Sequence, residues 1–239
     1  MGDRRESPIL AIDQLPESRR AILVALKQRG PSTIAQFAEI LSLTGEAVRQ
    51  QLLQLQRDGW VETRMSRRGE PARTGRPATT YRLSQSGDHL FPKHYAELNV
   101  LMIDTVAGEF GEGAVVKMLE RLADERVAAV EPSVRGLPLG EKVAAMKSWY
   151  LADDPFMDPG ADDNGWRLVE RNCPFLSTAL RRPMLCSITV NALSRVLGNR
   201  VVREEKFQNG DGRCIFRVLE DEPVDAATYP FQLESKVTP

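Results

Sequence analysis

Three cysteines, Cys173, Cys186 and Cys214, are the residues of this chain best suited to chemistry; twelve and twenty-seven residues intervene between them. A thiolate is a nucleophile, a redox centre and a soft metal ligand, so three that converge in space could hold a metal or an iron–sulfur cluster. Cys173-Pro174 is the dipeptide that often accompanies an iron–sulfur ligand, and Cys173 is expected just after a strand at the start of a helix, where backbone N–H groups stabilise thiolate. Cys214 is expected to open a strand after a tight turn, which aims backbone donors at a sulfur. The spacing is not that of a zinc ribbon. There is no C-x-x-C pair, and the only histidines, His89 and His94, lie far upstream, five apart on an expected helix and facing different directions. Spacing alone leaves metal ligation, a redox role and simple burial of three small thiols open.

The elements that must position these thiols follow from periodicity. Residues Trp166 to Arg171 alternate as a strand leading into Asn172-Cys173-Pro174 and a short helix. Residues Pro183 to Gly198 make a helix with Cys186 in its first turns, and Val201 to Phe207 make a strand. Asn209-Gly210-Asp211-Gly212 is a hairpin turn, because those residues tolerate positive φ, and Cys214, Phe216 and Val218 then share a strand face. Upstream, a helix ends near Tyr150, an acidic, turn-rich loop runs from Asp153 to Gly165, and Trp149, Tyr150 and Trp166 anchor the core on either side of it. Residues 136–239 are therefore expected to form an α+β sensor domain with a small antiparallel sheet. Residues 91–135 read as a helical linker, with helices Tyr95 to Phe110 and Ala114 to Val130 separated by Gly111 and Gly113. The Leu98, Met102 and Val106 face of the first either meets a second copy in a homodimer or packs onto its own domain.

A second set of residues is suited to phosphate. Thr44 caps a helix whose Val48, Leu52 and Leu55 fall at i, i+4 and i+7, burying one stripe. Thr44, Gly45, Glu46, Arg49 and Gln50 then stand at the exposed N-terminal end, where a groove-bound helix meets base edges. Trp60 to Arg64 and Thr79 to Leu83 read as paired strands, and the loop Met65 to Ala78 between them carries Arg67, Arg68, Arg73 and Arg76 among glycines and prolines. Helices over Pro16 to Arg29 and from Ser32 or Thr33 to Leu41 complete a winged helix-turn-helix over residues 15–90, behind a flexible N-terminus, residues 1–14. The charge agrees. Residues 1–90 hold 14 basic and 10 acidic side chains, whereas residues 91–239 hold 18 and 23. The expected partner is double-stranded DNA, and an exposed charged hairpin that never meets DNA is the bland alternative.

The stretch AQFAEILSLTGEAVRQQLLQLQRDGWVETR resembles the ArsR/DeoR-like winged-helix repressors. RLVERNCPFLSTALRRPMLC and LSRVLGNRVVREEKFQNGDGRCIFRV resemble the C-terminal domain of the SufR-type regulators, and with them the resemblance spans essentially the whole chain. That resemblance implies a cytoplasmic, homodimeric repressor of iron–sulfur cluster assembly genes. It also implies a labile iron–sulfur cluster, of the 4Fe-4S type, on Cys173, Cys186 and Cys214. Some members carry a further cysteine between the second and third of these, and this chain has none. Glu170, Asn172, Glu204, Glu205, Asp211, or an external thiol or water, is then expected to complete the site.

Composition bounds the remaining possibilities. A chain of 239 residues with 42% hydrophobic content can fill two domain cores. No window approaches the ~20 apolar residues of a membrane span, and the polar start MGDRRESP does not read as a signal peptide, so the expected address is cytoplasmic. In that reducing setting an odd number of cysteines does not read as a disulfide framework. There is no nucleophile elbow, P-loop or dinucleotide fingerprint, which argues against an enzyme. Two alternatives stand beside the cluster: a zinc site on the same thiols, and a C-terminal domain like the vinyl-reductase ligand domains, binding a small hydrophobic molecule or acting enzymatically with incidental cysteines.

Overall fold

The computed structural model describes residues 11–64 and 79–234. The chain is α+β and divides into two compact units, residues 1–93 and 94–239. The loop Met65 to Ala78, with Arg67, Arg68, Arg73 and Arg76, lies outside the described residues.

In the first unit, helix α1 (Glu17–Arg29) stops at Gly30, whose φ of 78° suits a residue without Cβ. Strand β1 (Ser32–Thr33) runs into α2 (Ile34–Leu41). Thr33 and Gln36 form a reciprocal capping box there, the Gln36 N–H donating to Thr33 Oγ1 at 3.3 Å and the Thr33 N–H to Gln36 Oε1 at 2.8 Å. Helix α3 (Gly45–Arg57) follows, with the Ala47 N–H donating to the Thr44 hydroxyl at 3.2 Å. Strands β2 (Val61–Arg64) and β3 (Thr80–Leu83) pair antiparallel as their alternation predicts, with Val61 opposite Leu83 and Arg64 opposite Thr80. The sequence did not reveal β1, which adds to β3 and gives the order β1-β3-β2. Ile22, Leu23, Phe37, Val48, Leu52 and Leu55 are wholly buried in one core, joined by Tyr81. A short helix α4 (Gln85–Asp88) ends the unit. His89 ends α4 and His94 precedes the next helix, so the two histidines do not share a helix as expected; the chain breaks between them at Phe91-Pro92.

The second unit opens with α5 (Tyr95–Phe110) and α6 (Glu112–Val134), which join at Gly111 (φ 82°). α6 runs one turn beyond the expected Val130, because Val134 adds another apolar residue to the buried stripe of Val115, Leu119, Ala123, Val127 and Val130. Helix α7 (Leu139–Tyr150) packs on a four-stranded antiparallel sheet ordered β4-β5-β7-β6. Strand β4 (Asp158–Asp162) occupies the segment read as an acidic loop, an override of poor strand propensity by its pairing with β5 (Gly165–Glu170). α8 (Leu176–Ala179) and α9 (Cys186–Leu197) lead to β6 (Asn199–Glu205), and β7 (Cys214–Pro223) closes the sheet between β5 and β6. One sheet face buries Leu168, Val201, Cys214, Phe216 and Val218 against Val143, Met146 and Tyr150 of α7 and Leu193 and Val196 of α9. Helix and strand meet closely at Gly140, where a Cβ would stand 2.9 Å from the Trp166 ring.

Candidate functional site

The loop after β5 is built by one buried carboxylate. Asp154 has no exposed surface and accepts the Phe156 N–H at 2.9 Å and the Arg171 N–H at 2.6 Å. Asn172 adds a side-chain hydrogen bond to the Asp153 carbonyl at 2.6 Å. Between them they set the chain direction of Asn172-Cys173-Pro174 and point Cys173 inward.

Cys186 is the first residue of α9, reached through a 3-10 turn at Pro183–Leu185 rather than lying inside a helix that starts at Pro183. Cys214 is the first residue of β7 and is 3% exposed. The turn before it is longer than the tight hairpin expected: a 3-10 turn at Phe207–Asn209 is followed by Gly210 (φ 88°) and Gly212 (φ 70°), and Asp211 accepts the Lys206 N–H at 2.8 Å.

Cys173, Cys186 and Cys214, set on three different elements, line a single small cavity of about 20 Å³. Its walls are otherwise mainly apolar, with Phe175, Leu176, Leu185, Phe207 and Phe216, and its polar residues include Glu170, Thr189, Arg203 and Gln208. Only Glu170 of these was expected from the sequence; Arg203 and Gln208 lie on β6 and the following turn, which carry no motif that marks them. The Gln208 amide donates to Cys186 Sγ at 2.9 Å, and buried Arg203 reaches both Gln208 Oε1 at 3.2 Å and Cys214 Sγ at 3.7 Å. Arg203 is also ion-paired with Glu234.

Burial dominates the electrostatics. It pushes the Cys173 thiol up to about 12, helped by the Glu170 charge and outweighing the Phe175 N–H that favours thiolate. The helix start expected to lower this thiol lies three residues downstream. Burial raises Cys186 and Cys214 too, against the Arg203 guanidinium and the Gln208 and Phe207 donors. Glu170 is pushed up to about 7 by burial and then by the Asp154 charge. A soft cation would reverse the balance at the thiols by replacing their protons.

Of the carboxylates and amide expected near the thiols, only Glu170 lines the cavity. Asn172 is bound to Asp153, Glu204 pairs with Arg217, Glu205 with Arg213, and Asp211 caps its own turn. Among the described residues no three His, Cys, Asp or Glu side chains are close enough to hold one metal ion. A group of several metal atoms takes ligands that stand further apart than those around one ion, and soft thiols are the ligand type such a group uses.

At the other candidate site, Thr44, Gly45, Glu46, Arg49 and Gln50 are all exposed at the start of α3. Glu46 engages its neighbours, accepting from Gln50 at 2.8 Å and pairing with Arg49 at 3.6 Å. No helix among the described residues is long and apolar enough to cross a membrane. Comparison with known proteins returns no match to a family model, a curated protein or a solved structure.

Proposed function

We propose that the chain is a DNA-binding transcriptional regulator whose second unit carries an iron–sulfur cluster on Cys173, Cys186 and Cys214. The convergence of these three cysteines on one mainly apolar cavity carries the reading. A bound cluster supplies sensitivity to oxidants and to iron supply. The chain's own residues do the rest. Arg203 and Gln208 place donors at two of the sulfurs, and Leu176, Phe207 and Phe216 give the cavity an apolar lining.

The first unit supplies the DNA contact. The order of three helices followed by paired strands β2 and β3 supports reading this unit as a winged helix with α3 as the recognition helix; the arginine-rich segment 65–78, expected as the wing, lies outside the described residues. Two such modules read paired half-sites when the chain is a homodimer, and α5 offers a surface for that: Leu98, Leu101 and Met102 are each more than half exposed.

Links within the second unit give the site a route to α5 and α6. Arg126 of α6 lies 4.9 Å from the Phe175 ring, two residues past Cys173, and Arg182, four residues before Cys186, donates from Nε and Nη2 to the two carboxylate oxygens of Asp104 on α5. A change in the cysteine loops therefore reaches the helices that carry the exposed apolar face. A coupling of ~1–3 kcal/mol would alter DNA affinity ~5–150-fold.

Anaerobic purification, with iron, acid-labile sulfide and visible absorption measured beside DNA binding, tests this. A brown protein whose iron and sulfide vanish in Cys173→Ser, and whose DNA affinity changes with loading, is expected. A colourless, iron-free protein after reconstitution would sink the cluster. The apolar lining favours one second reading, a small hydrophobic effector in the same cavity. That reading predicts affinity for apolar dyes that survives replacement of the cysteines.

A further inference from the structure

We propose that Glu170 is the fourth protein ligand of the group held by Cys173, Cys186 and Cys214; this rests on the cluster reading above. Glu170 ends β5 directly opposite Cys214 on β7, and a cross-strand pair projects its side chains from the same sheet face, with Cβ atoms ~5 Å apart. Both line the cavity, together with Cys173 and Cys186.

The Glu170 carboxylate stands apart from the other carboxylates near the site in having only the more distant guanidiniums of Arg126 and Arg203 to favour its charge. It is 4% exposed, and among the described residues no hydrogen bond or close ion pair to its side chain is found. Its neighbour Asp154, equally buried, holds two backbone donors. A buried carboxylate that lacks donors either keeps its proton or takes a counter-charge such as a metal, and here three thiols line the same cavity.

Elimination leads to the same residue. The Gln208 carbonyl oxygen is occupied by Arg203, Thr189 accepts from Arg126 at 3.3 Å, and a guanidinium has no lone pair to give. A set of three thiolates and one carboxylate makes one iron unlike the others, held by a harder and more exchangeable ligand. That iron is the one expected to leave first.

The test compares reconstituted full-length wild type with Glu170→Gln, Glu170→Cys and Cys173→Ser. Readouts are iron and sulfide content, Mössbauer spectra and the rate of iron loss to a chelator. Wild type is expected to show one oxygen-ligated iron site. Glu170→Gln should lose iron ~10–100-fold faster. Glu170→Cys should convert the distinct site to sulfur ligation and slow its loss.

The proposal is overturned if wild type shows only sulfur-ligated iron, or if Glu170→Gln matches wild type in content, spectrum and chelation rate. In either case loss of the cluster in Cys173→Ser would leave the three-cysteine reading standing. Wild type that takes up neither iron nor sulfide overturns both. The wild-type spectrum decides the question without a variant, should Glu170→Gln fail to fold.

Discussion

The Gln208 amide donates to Cys186 Sγ at 2.9 Å, joining the turn after β6 to the first residue of α9. Donors to a ligating sulfur stabilise its charge and raise the potential of the metal group behind it. Gln208→Leu should keep the fold, since the residue sits in a turn, and should lower the reduction potential of the reconstituted protein. Redox titration beside wild type checks this; an unchanged potential would remove Gln208 from the site.

Gly87 packs where a side chain cannot. A Cβ there would lie 2.0 Å from the Trp60 carbonyl oxygen, and Trp60 and Ser84 are joined at the same place by a backbone hydrogen bond of 3.0 Å. Gly87→Ala should destabilise the first unit by about 1–3 kcal/mol or more, because the clash is with backbone and cannot be relieved by a rotamer change. Chemical denaturation checks it, and the DNA-binding curve should collapse with the fold while iron content in the second unit is retained.

The exposed face of α5 sets an oligomer prediction. Leu98 and Met102 are 53% and 58% exposed, whereas Val100 and Ile103 are buried beneath them. Replacing both exposed residues with glutamate should leave the monomer stable and abolish dimerisation. Sedimentation equilibrium would show it, and a variant that remains dimeric would move the interface elsewhere.

Acid stability should depend on Asp162. Hydrogen bonds from Arg217 and from the Asn164 N–H hold its carboxyl near 2, below its ordinary 3.8. A depressed carboxylate contributes stability that is complete above its unfolded value and is lost as pH falls through the folded one. Unfolding of the second unit should therefore steepen between about pH 4 and pH 2. Arg217→Met should flatten that region by freeing Asp162, and a superimposable acid profile would refute the assignment. The same variant should cost about 1–3 kcal/mol at neutral pH, a moderate loss because Asp162 and Glu204 can rehydrate when Arg217 is gone.

Local signals were enough for the longer helices and for most of the sheet, though not for α4 or for the turn that precedes α9. The i, i+4, i+7 stripe of Val48, Leu52 and Leu55, the Thr44 cap, the stop at Gly30, and the alternation of β2, β3, β5 and β7 each act within a few residues, so the sequence states them directly. It also marked Cys173, Cys186 and Cys214 as the residues to watch.

What it could not state were facts about partners far away in the chain. Strand β4 exists because β5 pairs with it, despite Pro159 and Gly160. β1 is two residues long and owes its strand geometry to β3. The high thiol pKa of Cys173 comes from burial under other elements, which overrode the local argument from a helix start. Choosing Glu170 from five candidate ligands required the β5–β7 register, and finding Arg203 and Gln208 required the fold of β6 over α9. Hydrogen-bond caps and periodicity are local and can be read along the chain. Desolvation and the convergence of side chains depend on what packs against what, and only the tertiary structure decides that.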